Sequence, residues 1–265
     1  MAYVEPFVGG GAVLCHMLDN HKNITRVIIN DINDVLIGAY KAIQENPEPI
    51  ISGLMEIETE YNSLEDSAKE IKYYEMRERF NDNKFIDIHR IVLFLFLNRT
   101  CFNGLYRENS KGEFNVPHGR YKVHPIYNED NIWEFHKALQ NVDILQGSFE
   151  NVGRRLKREH VFYYLDPPYR PIIENGTMFT MYDRTGFNDS HQELLKQMCD
   201  YINKRGWHFM LSNSDSRTVN NESYFENLYN GYIINRIEVI RFINTYNSSQ
   251  RRPTEVIITN YQPIL

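Results

Sequence analysis

Cysteine is scarce in these 265 residues: three, at positions 15, 101 and 199, an odd number without metal-ligand spacing. That argues against a disulfide framework and a cysteine-built zinc site, and it points to a reducing cytoplasm. No apolar run approaches the roughly 20 residues that a bilayer-spanning helix needs. The apolar stretch Ile91–Leu97 suits a buried helix or strand instead. The opening residues, Met1 to Gly11, hold no basic stretch followed by an apolar one and read as no signal peptide. Internal repeats and low-complexity tracts are absent too. A positive balance is also lacking: 29 Lys and Arg stand against 35 Asp and Glu, a net charge of −6 that offers no general affinity for nucleic acid.

What is present is an ordinary globular composition, 42% hydrophobic and 24% charged, long enough for one large domain or one domain with a sizeable insertion. The charge is uneven. Between Arg99 and His124 lie Arg99, Arg107, Lys111, Arg120 and Lys122 against Glu108 and Glu113, a local net of +3, whereas acidic residues dominate from Glu45 to Asp87. A basic strip on an acidic body can form a phosphate-binding surface, although charge alone suits a solvated loop better.

The order of elements points to an α/β protein. Tyr3–Phe7 reads as a buried strand, followed by the turn Gly9-Gly10-Gly11 and an apolar helix over Ala12–Leu18. Val27–Ile29 is a second strand ending at Asn30-Asp31, and a helix from Asn33 to Ile43 is stopped by Asn46-Pro47. This is the opening of a doubly wound domain with a nucleotide-type ligand at its strand ends. From about residue 47 to 135 the pattern changes: charged helices over Ile50–Phe80, an apolar helix over Asp87–Leu97, then an Asn-, Gly- and Arg-rich stretch, 98–122, with a hairpin turn at Ser110-Lys111-Gly112. The α/β pattern resumes with strands at Val142–Gln146 and Val161–Leu165. A helix over His191–Lys204, a strand at His208–Leu211 and an antiparallel pair, Ile233–Ile243 with Glu255–Tyr261, complete it. The expected organisation is a first catalytic part over 1–46, a target-recognition insertion over 47–135 and a second catalytic part over 136–265.

Two motifs carry chemistry. In Glu5-Pro6-Phe7-Val8-Gly9-Gly10-Gly11 a strand feeds a glycine turn, which lets backbone approach a ligand and aims amide N–H groups at it. Leu14 stands where a dinucleotide fingerprint needs its third glycine, which disfavours a nicotinamide dehydrogenase. Alone, the turn is equally a tight structural turn. Asp31, ending the next strand, is placed to hold a ribose hydroxyl. The sharper motif is Asp166-Pro167-Pro168-Tyr169 after Phe162–Leu165. Two prolines cannot extend the sheet, so carbonyl groups are left pointing outward beside a carboxylate. That suits an amine with two hydrogens to hold, such as adenine N6, with Tyr169 stacking on the base.

On these motifs, together with Asn30-Asp31, the run from Asn98 through Arg107 to Lys122, Leu211–Ser214 and Glu255–Asn260, the chain resembles the Dam-type (D12 class, alpha-group) adenine-specific DNA methyltransferases along nearly its whole length. The resemblance implies a Rossmann-like S-adenosylmethionine-dependent fold with an inserted helical and β-hairpin DNA-recognition region, double-stranded DNA as partner, and no metal. It implies that Glu5, Phe7, Gly9, Gly11, Asp31, Ser148, Phe149 and Asp166 bind S-adenosyl-L-methionine, and that Asp166, Pro167, Pro168 and Tyr169 hold a flipped adenine. Phe102 matches a side chain inserted between base pairs. Leu105, Arg107 and Pro117 match positions that read GATC, and Arg120 and Tyr121 match backbone contacts. Arg99, Asn103 and Asn115 complete the DNA-facing set. A restriction endonuclease encoded nearby is the expected further partner, in a bacterial or phage-encoded cytoplasmic setting.

Two departures bear on the cofactor. The family's upstream Lys-Trp-x-Gly-Gly-Lys motif does not occur in these residues, and Ser148 stands where many relatives place an Asp. Hence a rival expectation, a catalytically silent DNA-binding remnant; a third is a methyltransferase for RNA or protein amides, disfavoured by the 98–122 segment. His191 reads as a first-turn helix residue capped by Asp189 or Ser190 rather than a base. The basic run Arg154, Arg155, Lys157, Arg158 reads as a solvated helix face.

Overall fold

The computed structural model describes residues 1–121, 125–153, 156–157, 160–171, 186–218, 220–239 and 254–263. Lys122, His124, Arg154, Arg155, Arg158 and the run Ile233–Ile243 beyond residue 239 lie outside them. Contacts divide the chain into two units, residues 1–30 with 148–265, and residues 31–147.

Seven strands, β1 (Ala2–Glu5), β2 (Arg26–Asp31), β3 (Val142–Gln146), β4 (Val161–Leu165), β5 (His208–Ser214), β6 (Ile233–Glu238) and β7 (Thr254–Thr259), form a sheet in the order β3-β2-β1-β4-β5-β7-β6. β1 pairs parallel with β2 and β4, and β4 with β5; β7 runs antiparallel to its neighbours β5 and β6. This is the expected Rossmann-like α/β sheet with a closing antiparallel pair.

In the first unit, β1 is buried along its whole length, as a central parallel strand must be. It stops at Glu5, two residues before the predicted end, because Pro6 has no N–H to donate to a ladder. β5 runs three residues past the predicted Leu211, because β7 pairs with it from Met210 to Ser214. Helix α1 (Ala12–Asn20) follows the glycine turn. Helix α7 (Asp189–Lys204) is capped by Asn188, not by Asp189 or Ser190: the Asn188 side chain accepts from the His191 N–H, and the His191 ring nitrogen Nδ1 accepts from the Asn188 N–H. His191 is thus spent on a capping box, worth about 1 kcal/mol. Leu195, Cys199 and Ile202 of this helix pack on Tyr163, Leu165, Phe209, Leu211, Val256 and Ile258 from the sheet. The short helix α8 (Tyr224–Leu228) has no counterpart in the sequence reading.

The second unit is mainly helical. α2 (Asp34–Glu45) is capped by Asn33, whose side chain accepts from the Leu36 N–H at 3.0 Å. α3 (Glu48–Asn62), α4 (Asp66–Asp82) and α5 (Ile88–Thr100) follow, and Asp87 caps the last. α6 (Glu129–Leu139) was not anticipated; the Gln44 amide ties α2 to the Leu139 and Val142 carbonyls at 2.6 and 2.8 Å.

Residues 101–121 form the expected hairpin, but its arms meet in isolated bridges, Cys101 with His118 and Glu108 with Phe114, rather than continuous strands. α4 supplies the missing ladder. The Tyr73 hydroxyl donates to the Val116 carbonyl at 2.8 Å, and Asn81 both donates to the Phe114 carbonyl and accepts from its N–H. At Gly119 a Cβ would lie 2.8 and 2.9 Å from the Cys101 and Thr100 carbonyl oxygens. Gly119→Ala should therefore destabilise the protein by about 1–3 kcal/mol, the usual cost of forced overpacking. A thermal melt at the parental midpoint would show that the backbone gives way there.

Candidate active site and nucleic-acid interface

The glycine turn is held from behind. The Val8 N–H donates to the Asn30 carbonyl and the Gly11 N–H to that of Val8, both at 2.9 Å, while the Asn30 amide donates to the Pro6 carbonyl at 3.0 Å. Gly9 and Gly11 adopt φ of 48° and 75°, where a side chain is strained. A Cβ at Gly9 or Gly10 would meet nothing within 4 Å, so open space lies over this backbone. Phe7 packs at 5.1 Å from Phe149 and 5.8 Å from Phe187, an apolar wall beside the turn. Ser148 spends its hydroxyl locally, donating to Glu150 Oε1 at 3.0 Å while capping the Glu150 N–H. Asp31 ends β2 and accepts from the Asn33 N–H at 3.0 Å through Oδ1.

Asp166 follows β4 directly. Ser212 on β5 donates to its Oδ1 at 2.7 Å. Although Asp166 keeps an exposed face, its carboxyl lies above the usual range, because burial of its inner side and the charge of Glu255 outweigh the bonds from Ser212 and Tyr169. Pro167 is buried and Pro168 exposed; among the described residues the Pro167 carbonyl accepts no hydrogen bond. Half-buried Tyr169 donates its hydroxyl to Glu255 Oε2 at 3.1 Å. Glu5 is 2% exposed, accepts from the Tyr3 hydroxyl at 2.6 Å, and is pushed up to about 7, chiefly by burial.

The loop after Tyr169 is anchored by Arg170, which sequence reasoning missed. Its N–H donates to Asn213 Oδ1, its buried guanidinium pairs with Asp189 at 2.9 Å and donates to the Arg217 carbonyl, and it stacks 4.0 Å from the Tyr224 ring. Ser212 and Glu255 were also unassigned, although both lie in stretches that carry the family resemblance. Their partners are 46 and 86 residues away, so spacing held no signal for either contact.

In the second unit, Phe102 lies beyond α5 with 48% of its surface exposed, on a turn where Asn103 adopts φ 54° and donates its N–H to the Tyr121 hydroxyl. Tyr106, by contrast, packs against Phe94 and Phe114 as part of the hairpin's support. Exposed Arg107 donates from Nε to Asn115 Oδ1 at 2.7 Å. Leu105 is half-buried and Pro117 exposed, with the Pro117 carbonyl accepting from the Phe102 N–H. Arg120, at φ 56°, pairs with Glu70 at 3.3 Å, and Arg99 donates to the Pro125 carbonyl.

A glycine turn closing β1 and an acidic double-proline loop closing β4, on this strand order, define a Rossmann-like methyltransferase. The chain belongs to the D12 class of N6 adenine-specific DNA methyltransferases, whose family model matches residues 1–243. It is 41% identical over 262 residues to a type II methyltransferase, M.MjaIII, of Methanocaldococcus jannaschii, covering 98% of this chain and 88% of that one. To the type II methyltransferase M1.LlaDCHI of Lactococcus lactis it is 34% identical, covering 98% and 86%. The DNA adenine methylase of Escherichia coli K12 is 31% identical over 260 residues, again covering 98% and 86%. Methyl transfer to adenine N6 in DNA is therefore its activity, and the inactive-remnant reading finds no support. Among the described residues no helix is long and apolar enough to cross a membrane.

Proposed function

We propose that this enzyme takes its methyl group from S-adenosylmethionine and places it on a flipped adenine in a short duplex site, GATC or a close relative. The observation that carries the reading is the pairing of Asp166, fixed by Ser212, with the neighbouring Pro167 carbonyl: two acceptors for the two N6 hydrogens. Holding both turns the nitrogen lone pair out of conjugation with the ring. Tyr169 stacks on the base, and the N6 proton departs after transfer, so no strong base is needed. Positioning and electrostatics carry most of the rate.

The open backbone over Gly9 and Gly10 and the Phe7–Phe149 wall fit the methyl donor. Glu5, Phe7, Gly9, Gly11, Asp31, Ser148, Phe149 and Asp166 would hold it. When bound, S-adenosylmethionine supplies a methyl on a positively charged sulfur.

The stretch 47–135 serves target recognition. Phe102 fills the gap left by the base, Leu105, Arg107 and Pro117 read base edges, and Arg99, Asn103, Asn115, Arg120 and Tyr121 support or contact the backbone. Arg107→Ala should relax specificity at one guanine by about 1–3 kcal/mol while leaving non-specific binding nearly intact. A uniform loss across sequences would make Arg107 a phosphate contact instead. A partner restriction endonuclease fits the type II names of the relatives. Expression in a host without adenine methylation, followed by mapping of N6-methyladenine, tests site and activity together. Marks at recurrent GATC support the proposal; marks at another motif overturn the site assignment alone.

A further inference from the structure

We propose that Glu255 is a positioning residue for methylation, fixing through the Tyr169 hydroxyl the ring that stacks on the target adenine. This rests on the adenine-holding role given above to Asp166–Tyr169. Tyr169 follows two prolines and has left the β4 ladder, so the sheet does not hold its ring. The bond from its hydroxyl to Glu255 Oε2, 3.1 Å long, pins the far end.

The strand registers explain why β7 can supply that anchor. Leu165 pairs with Leu211, which brings Ser212 level with Asp166, and Ser214 pairs with Glu255 two residues further along β5. Because side chains alternate, Ser212, Ser214 and Glu255 share one face. Adjacent strands thus anchor the two working side chains: β5 holds Asp166 through Ser212, and β7 holds Tyr169 through Glu255, while the Tyr169 hydroxyl also bonds Asp166 and Ser212.

A carboxylate is a costly choice beside Asp166, since it adds like charge and raises the Asp166 pKa. What it gives in return is a charge-assisted bond, stronger than an amide would make. The titratable groups facing Asp166 are Glu5 from β1, Tyr164 and Tyr169 from its own segment, and Glu255 from β7.

The test compares Glu255→Ala, Glu255→Gln, Tyr169→Phe and the double variant Glu255→Ala with Tyr169→Phe in single-turnover methylation, using full-length protein, S-adenosylmethionine and duplex DNA. A second duplex carries 2-aminopurine at the target adenine. Glu255→Ala and Tyr169→Phe should each slow the chemical step about tenfold, the effect expected for losing a bond to a charged group. The DNA dissociation constant should be unchanged. The double variant should be no slower than either single one, Glu255→Gln should recover only part of the rate, and 2-aminopurine emission should change alike in both single variants.

The pH profile adds a sign. Removing the Glu255 charge lowers the Asp166 pKa and moves the acid limb down, whereas Tyr169→Phe removes a bond that stabilises the carboxylate and moves it up. Multiplicative losses in the double variant, or a wild-type rate in both single ones, overturn the inference. Should Glu255→Ala fail to fold, Glu255→Leu takes its place in the same comparison with Tyr169→Phe and the corresponding double variant. Full activity in Asp166→Ala would instead remove the reading beneath it, so the two failures are distinguishable.

Discussion

Asp166→Ala should lower single-turnover methylation by about 10²–10³-fold, the loss typical of removing one preorganised electrostatic contact to a reacting group. The fold should survive intact. The Asp166 carboxyl stands above its ordinary pKa because burial and Glu255 disfavour its charged form, so the native state gains nothing from that charge. Its removal leaves the Ser212 hydroxyl without an acceptor and relieves the repulsion from Glu255, and these act in opposite directions. A parental melting temperature with lost activity is therefore the expected pair of results. Asp166→Asn, which keeps a carbonyl acceptor, should retain more activity than the alanine variant. DNA binding should change little in either, since the side chains proposed to read base edges and contact the DNA backbone lie between residues 99 and 121, and Tyr169 still stacks on the flipped base. An Asp166→Ala enzyme at full rate would mean that N6 is oriented by other groups.

Much of this was legible in the sequence where chemistry is local. Val161–Leu165 alternates buried and half-buried residues up to a double proline, and β4 ends there. Asn33 and Asp87 announce the starts of α2 and α5, because a short polar side chain can accept from the N–H three residues on. Local reading placed the cap of α7 too late, choosing Asp189 or Ser190, since several short polar residues stand in a row and only the helix geometry selects Asn188. The site was legible in its motifs but not in its supports. Nothing near Tyr169 in the chain announces Glu255, and nothing near Asp166 announces Ser212; strand order brings them together. Arg170 follows the motif directly, yet its role depends on Asp189, Arg217 and Tyr224 converging from three segments. The hairpin is a similar case: its turn could be read at Ser110–Gly112, but its dependence on Tyr73 and Asn81 of α4 could not.

Glu5→Gln should raise stability above neutral pH by up to about 3 kcal/mol and leave it nearly unchanged below pH 4, at about 1.4 kcal/mol per unit of pKa displacement. The sign follows from burial. Glu5 is pushed from 4.5 to about 7, so between those values the native state holds a proton that the unfolded chain has released. Stability from this group is complete below about 4.5, falls as pH rises, and is gone above about 7. Glutamine is neutral throughout and still offers the Tyr3 hydroxyl an acceptor, so the variant should lack that decline. Denaturant unfolding of both proteins from pH 4 to 9 gives the difference curve, in which titrations common to both cancel. A buried carboxylate kept at such a cost, at the foot of the glycine turn, fits the binding of a positively charged donor. Glu5→Gln should accordingly weaken S-adenosylmethionine binding while stabilising the fold, the usual exchange at a functional site. Tighter or unchanged donor binding would make Glu5 a structural partner of Tyr3, and the turn amides would then carry the donor without it.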